Sequence, residues 1–150
     1  LGQVSQGIEP IWSNSYVKDI AKIKTTIKNP FLVDLLEEKG QNTTEVWRSI
    51  RDFDGSVQHL DFLSEHEKDV FKTYPEIDQT VIVYQAANRQ NYIDQGQSIN
   101  VMVHPDTPIK DVNNIYITAW KLGVKSMYYQ HSMNAAQKFK QKKSCDSCEG

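Results

Sequence analysis

The sequence has no long hydrophobic run, almost no net charge and very little cysteine. No window approaches the roughly eighteen apolar residues that a membrane-spanning helix needs. No basic segment followed by an apolar stretch opens the chain as a secretory signal would. The formal charge of −2, from 17 basic and 19 acidic residues, provides no field that would attract nucleic acid or anionic lipid. We therefore expect a cytoplasmic protein that binds neither membranes nor nucleic acid.

Familiar nucleotide-binding and hydrolase motifs are also missing. None of the seven glycines belongs to a phosphate-cradling loop, a Walker motif or a dinucleotide fingerprint, and no serine hydrolase elbow is present. The four histidines show no metal-ligand spacing with one another. We therefore expect no cofactor or metal to be bound by this chain itself.

The first half of the chain predicts a hairpin followed by helices. The first thirty residues mix β-formers with Asn and Lys, which indicates a loop and then a short hairpin. Asn29 as a cap and Pro30 at the first helical position predict a helix. A second helix is expected to begin near Asn42, whose spacing to Glu45 fits a capping box. Ser64 and Glu67 have capping-box spacing and predict a short third helix.

The second half predicts one more helix and then a strand, a helix and a strand. Ile77, Val81, Tyr84 and Ala87 recur at helical spacing, so a longer helix is expected to end around Asn91. Alternating apolar residues at 99, 101 and 103 predict a strand. A helix opens at 107–108 and ends at a glycine cap at 123, and 124–130 predicts a second strand. This βαβ unit should place two parallel strands side by side, joined by a right-handed crossover.

The predicted fold class is α/β, but the sheet is incomplete. Parallel strands are normally covered on both faces and occur in sheets of several, yet only two convincing ones are found here. Either the hairpin and helices close a small α/β domain, or the chain is part of a larger parallel sheet. The composition turns polar near 131, so residues 132–150 are expected to form a flexible tail.

Both cysteines, Cys145 and Cys148, form one Cys-x-x-Cys near the end of the sequence. The preceding lysines favour the thiolate, the form that exchanges with disulfides, so we expect a redox role. The alternatives are a zinc half-site and an inert tail. Zinc requires four ligands, and nothing nearby supplies the other two. A thioredoxin-type motif lies between a strand and a helix, whereas a dithiol on a tail suits a mobile shuttle.

Tyr128 and Tyr129 end the last predicted strand, at the edge where parallel sheets place their ligands. A tyrosine can lose an electron if its phenolic proton has an acceptor, and two adjacent phenols could pass a radical in short steps. Ordinary packing is the alternative, because aromatics are favoured in strands and neighbours there point to opposite faces. A relay requires the strand to end between the two tyrosines, so that both rings can turn to the same side and stack.

Several motifs of the sequence belong together: GIEP at 7–10, SN at 13–14, NPFL at 29–32, YIDQGQSIN at 92–100, AWKLGVKSMYY at 119–129 and the terminal pair Cys145 and Cys148. In combination they resemble one family, the large catalytic subunit of class I ribonucleotide reductase in its C-terminal part. Each motif alone is weak. Their order and spacing carry the resemblance over nearly the whole chain.

The resemblance implies radical chemistry. In that family a small subunit with a metallocofactor supplies a radical, which reaches a cysteine of the large subunit through a tyrosine pair; Tyr128 and Tyr129 match that pair. The thiyl radical then acts on the ribose of a nucleoside diphosphate, and two barrel cysteines become a disulfide. Cys145 and Cys148 match the tail that reduces this disulfide and is itself reduced by thioredoxin or glutaredoxin.

The sequence departs from the family by lacking any cysteine besides the tail pair. The radical-bearing cysteine, the barrel pair and the allosteric sites must then lie in another part of the large subunit. The chain also begins with Leu1. We therefore expect residues 1–131 to be the C-terminal portion of a ten-stranded α/β barrel with a helical insertion, followed by the tail. The expected partners are the N-terminal remainder of the large subunit and the small subunit, and the chain should be inactive alone.

Two other functions are compatible with the sequence. The chain could be a free-standing thiol-disulfide carrier, which predicts a stable monomer whose tail is its only functional part. It could also be a structural interaction module with an idle tail. Its size in solution and its protease resistance with and without a barrel partner would separate these possibilities from the first.

Overall fold

The structure is a computed structural model that describes residues 8–20 and 23–132, with the side chains of 19, 20, 23 and 24 excepted. The chain divides into two compact units, Leu1–Ile77 and Asp78–Gly150. The predicted tail, with Cys145 and Cys148, lies outside the described residues apart from its first residue. No helix in the described ranges combines the length and apolar character that crossing a bilayer requires.

The first unit contains a hairpin and three short helices, as predicted. Strands β1 and β2 pair antiparallel, with Ser15 opposite Lys28. The elements are β1 (Ser15–Ile20), β2 (Ile23–Lys28), α1 (Pro30–Glu38), α2 (Thr44–Asp52), α3 (Glu65–Val70) and a 3-10 turn (Tyr74–Glu76). Their apolar faces enclose one core, formed by Leu32, Leu36, Trp47, Ile50, Val57, Leu60, Leu63 and Phe71.

Two of the three predicted helix caps are confirmed. The Asn29 side chain accepts the backbone N–H of Phe31, and Ser64 and Glu67 form a reciprocal capping box. The prediction for α2 was wrong by one residue, because Thr43 is the cap. The Asn42 side-chain oxygen instead accepts a hydrogen bond of 2.6 Å from the indole N–H of Trp47.

Asn14 is the polar centre of the first unit. Its side-chain amide donates to the carbonyls of Gly55 (2.9 Å) and Phe71 (2.8 Å), and its oxygen accepts from the Asn29 amide (2.9 Å). The residue is 1% exposed. These bonds join the hairpin, the start of α1 and two turns, so each of these buried polar groups is satisfied.

The second unit contains the predicted strand, helix and parallel strand. Its elements are α4 (Gln79–Gln90), β3 (Val101–Met102), α5 (Ile109–Lys121) and β4 (Gln130–His131). Strands β3 and β4 are parallel. Gly123 has φ +74° just beyond α5, where a left-handed cap was expected. Both strands are shorter than predicted, since regular pairing covers only 101–102 of the 99–103 segment, and only the last residue of the 124–130 segment and one more.

Helix α4 forms, but the apolar face read from its sequence was wrong. Ile82, Val83 and Ala86 are buried, whereas Val81 and Tyr84 are exposed. Asp78 caps the helix, so Ile77 precedes it and does not belong to its periodic face. The buried side faces α5 and β3, where Val83 packs in one cluster with Val101, Val103, Ile115 and Ala119.

The α/β prediction holds in part. The second unit has a parallel strand pair with helices, but the strands of the described residues form two separate two-stranded sheets. These strands close no barrel. Because a two-stranded parallel sheet is rarely stable by itself, this architecture fits a sheet that other strands complete.

Candidate functional site

Tyr128 and Tyr129 lie in contact just before β4. Their ring centroids are 4.1 Å apart with an angle of 54° between the planes. The side chains are 59% and 58% exposed. The rings therefore do not point to opposite faces of the sheet, as neighbours in a regular strand would.

The Tyr129 side chain also raises the pKa of Tyr128 above its ordinary value. Hydrogen bonding to Tyr129 is the largest cause, and the charge of Tyr129 and desolvation act in the same direction. The protonated form of Tyr128 is thus favoured beside its neighbour. A phenolic proton therefore has a polar partner at close range when an electron leaves.

Side chains of β4 and α5 make further contacts beside the tyrosine pair. The His131 ring meets the edge of the Tyr129 ring, with centroids 6.1 Å apart. The Tyr116 hydroxyl on α5 donates to the Gln130 side-chain oxygen at 2.9 Å. Helix α5 and strand β4 are thereby joined beside the tyrosines.

Hydrogen bonds to the preceding strand fix the backbone of the pair. The Tyr128 N–H donates to the carbonyl of Ile99 at 2.8 Å, and the Val101 N–H donates to the carbonyl of Tyr129 at 2.9 Å. The Tyr129 N–H does not reach a backbone carbonyl. It donates to the side-chain oxygen of Asn100 at 3.3 Å.

A buried glutamine anchors the segment that leads into β3. The Gln97 amide donates to the Ala86 carbonyl at 2.8 Å, and its oxygen accepts from Arg89 Nε at 3.0 Å. The Gln97 carbonyl accepts from the Ser126 hydroxyl at 3.3 Å. Gly96 leaves room for that hydroxyl, since a Cβ there would lie 2.6 Å from it. The segment before the tyrosines is therefore tied to α4.

The other predicted site residues, Cys145 and Cys148, lie outside the described residues. Within 8–20 and 23–132 there is no group of three or more metal-ligating side chains. Asn100 and Gln97 were not predicted as site residues, and a polar residue at an alternate position of a strand gives no local signal that distinguishes Asn100.

Comparisons with known proteins agree on one family. A family model described as "Ribonucleotide reductase, barrel domain" matches residues 1–130. The ribonucleoside-diphosphate reductase large subunit of Invertebrate iridescent virus 3 is 43% identical over 135 residues, which are 88% of this chain and 21% of that protein. The subunit alpha of the same enzyme from Chlamydia trachomatis is 36% identical over 133 residues, or 88% of this chain and 12% of that one.

A solved structure shares the fold. The class Id ribonucleotide reductase alpha subunit of Actinobacillus ureae superposes with a TM-score of 0.80 and is 55% identical in sequence. The match covers 91% of this chain and 24% of that subunit. The chain thus spans between about an eighth and a quarter of the length of these three proteins.

Proposed function

This chain belongs to the ribonucleotide reductase barrel-domain family, and from that membership we propose that it contributes a radical-transfer tyrosine pair and a thiol tail to ribonucleotide reduction. Tyr128 and Tyr129 would carry the radical. Cys145 and Cys148 would restore the active site after each turnover. The substrate of the assembled enzyme would be a ribonucleoside diphosphate, and the product the corresponding deoxyribonucleotide.

The contact between the two phenol rings is the observation that carries this proposal. Electron transfer between redox-active side chains becomes faster as they approach, and these rings are 4.1 Å apart. The Tyr129 side chain also raises the pKa of Tyr128, so a phenolic proton of the pair would have a nearby group to interact with as the electron moves. A one-electron oxidant outside the pair, a radical held by a metal-bearing small subunit, would take the first electron. Both rings are open enough to meet such a partner.

The rest of the large subunit is the second proposed partner. Within the described residues, strands β3 and β4 pair only with each other, and parallel sheets are normally larger. Large apolar side chains on α5 are also open to solvent, with Ile109 86% and Trp120 77% exposed. We propose that the strands complete a ten-stranded barrel with the remainder of the subunit, which would supply the substrate pocket and the cysteine that becomes a thiyl radical.

Reconstitution tests the proposed assembly. The chain, a polypeptide with the remainder of the barrel and a small subunit should together reduce nucleoside diphosphates, and each component alone should be inactive. The measurement is deoxyribonucleotide formed per unit time with a dithiol reductant present. Turnover by the barrel polypeptide and small subunit without this chain would contradict the proposal, as would the absence of a complex by size-exclusion chromatography.

The tail cysteines should be needed for repeated turnover but not for the first. A thiolate of Cys145 or Cys148 would attack the barrel disulfide to form a mixed disulfide; its neighbour would then displace the barrel thiol and leave the tail oxidised. Thioredoxin or glutaredoxin would reduce the tail in turn. With Cys145→Ser or Cys148→Ser we expect about one product per enzyme and then a stop.

A small chemical dithiol provides the control for that experiment. It can reach the barrel disulfide directly, so it should restore multiple turnover to the serine variants. Ser144→Ala and Ser147→Ala, beside the same cysteines, should behave as wild type. If a serine variant keeps full turnover with thioredoxin as the sole reductant, the tail has no shuttle role.

A further inference from the structure

The hydrogen bonds around the tyrosine pair do not follow a regular parallel ladder. In such a ladder, the residue facing Asn100 donates its N–H to Ile99 and accepts from Val101. Here two different residues make these two hydrogen bonds. Tyr128 donates its N–H to the Ile99 carbonyl, and the Tyr129 carbonyl accepts from the Val101 N–H. Two residues therefore occupy the place opposite one residue, which is the arrangement of a β-bulge.

The bulge explains why the rings meet. Successive side chains of a regular strand point to opposite faces, so Tyr128 and Tyr129 would be separated by the sheet. An extra residue on one strand interrupts that alternation and redirects a side chain. Regular pairing resumes immediately afterwards, with Val101 opposite Gln130 and Met102 opposite His131. The interruption is thus confined to the two tyrosines.

A bulge leaves one backbone N–H without a carbonyl acceptor in the ladder, and the Asn100 side chain provides an acceptor in its place. The Asn100 side-chain oxygen accepts the Tyr129 N–H at 3.3 Å. The backbone groups of the two neighbours of Asn100, Ile99 and Val101, hold the tyrosines on either side. One short segment thus makes three contacts with the pair, and only one of them depends on the identity of a side chain.

We infer that Asn100 is a positioning residue for the tyrosine pair, because its side chain holds the bulge that turns both rings to the same side. This inference rests on the proposed radical-transfer function of the pair. Asn100 itself undergoes no chemistry. Its removal would let the Tyr129 backbone relax towards regular pairing, and the rings would then separate.

The first test measures ring contact in the full chain, without turnover. Tyrosines labelled at the ring carbons report contacts between the two rings by NMR, and a pH titration reports the pKa of Tyr128. Asn100→Ala should lose the contacts and lower that pKa towards its ordinary value, because the Tyr129 side chain would no longer lie beside Tyr128. Asn100→Asp retains an acceptor oxygen and should keep the contacts.

Two further variants separate positioning from general damage. Asn113→Ala removes an exposed asparagine of α5 and should leave ring contacts unchanged. Should Asn100→Ala unfold the second unit, Asn100→Ser makes the same comparison, because its hydroxyl is too short to reach the Tyr129 N–H. Ring contacts that persist in every variant without the acceptor would overturn the inference, as would an Asn100→Asp variant as disturbed as Asn100→Ala.

The second test measures turnover in the assembled enzyme. Displacements of about 1 Å can cost a hundredfold in rate, so we expect Asn100→Ala to lower kcat by roughly ten- to a hundredfold. The KM for the nucleoside diphosphate should not change, and Asn100→Asp should regain most of the rate. If the phenylalanine variants of the two tyrosines are inactive but Asn100→Ala keeps its full kcat, the inference about Asn100 is overturned and the proposed function is not. If those variants are active, the proposed function itself fails.

Discussion

Tyr128→Phe and Tyr129→Phe are each expected to reduce turnover of the assembled reductase at least about a hundredfold, or about 2.7 kcal/mol in activation free energy. Phenylalanine preserves the ring and its packing but has no hydroxyl proton to release, so it is far harder to oxidise. A single replacement would therefore interrupt the relay. Because each ring is more than half exposed, neither change should cost much stability.

Another exposed tyrosine in the same unit provides the matched control. Tyr92 is 90% exposed and lies before β3, so Tyr92→Phe should leave turnover unchanged. Product formation and decay of the small-subunit radical are the two measurements. Full turnover in either pair variant would contradict the relay, whereas loss of product with normal substrate binding is the expected outcome.

Gly55→Ala is expected to destabilise the first unit by about 2–5 kcal/mol. Gly55 has φ +87°, a conformation that costs a residue with a Cβ roughly 1–2 kcal/mol. The added Cβ would also lie 1.9 Å from Ser13 Oγ, 2.7 Å from Ser13 Cβ and 2.8 Å from the Asn14 nitrogen. The Ser13 hydroxyl can rotate away from the added Cβ, but the Ser13 Cβ and the Asn14 backbone nitrogen cannot. Moving them would cost about 1–3 kcal/mol more and would disturb the buried Asn14 network.

Gly40→Ala is the control that separates the cost of the left-handed backbone conformation from the cost of the steric contact at Gly55. Gly40 has φ +66°, yet nothing lies within 4 Å of the place where its Cβ would be. This variant should lose only the conformational cost of about 1–2 kcal/mol. Urea unfolding followed by tryptophan fluorescence gives both free energies, since Trp47 is buried in this unit. Equal losses of unfolding free energy in the two variants would show that the close approach of Ser13 and Asn14 to Gly55 adds nothing to the cost of the substitution.

Local signals predicted most of the elements correctly. Pro30 after Asn29, the spacing of Ser64 and Glu67, and Gly123 after an apolar helix each act within a few residues, so the sequence is sufficient to locate them. The face of α4 could not be found in this way. Val81 and Val83 are equally apolar, and only packing against α5 and β3 determines which of them is buried.

The candidate site was predictable in position but not in conformation. Motif resemblance indicated Tyr128 and Tyr129, and strand alternation argued that their rings would point apart. The side-chain bond of Asn100, which spans 29 residues of sequence, belongs to tertiary structure and left no periodic signal. The sequence indicated that a relay needs a break in the strand, but it placed the end of the strand between the tyrosines, whereas regular pairing begins just after them.

The shortness of β3 and β4 has a consequence for the solubility of the chain before assembly. An open sheet edge offers unpaired backbone groups on which another copy can add a strand, and long flat edges promote aggregation. Each of these strands has only two regularly paired residues, and Pro105, which has no N–H to donate, soon follows β3. An unassembled copy therefore offers other copies little edge on which to pair.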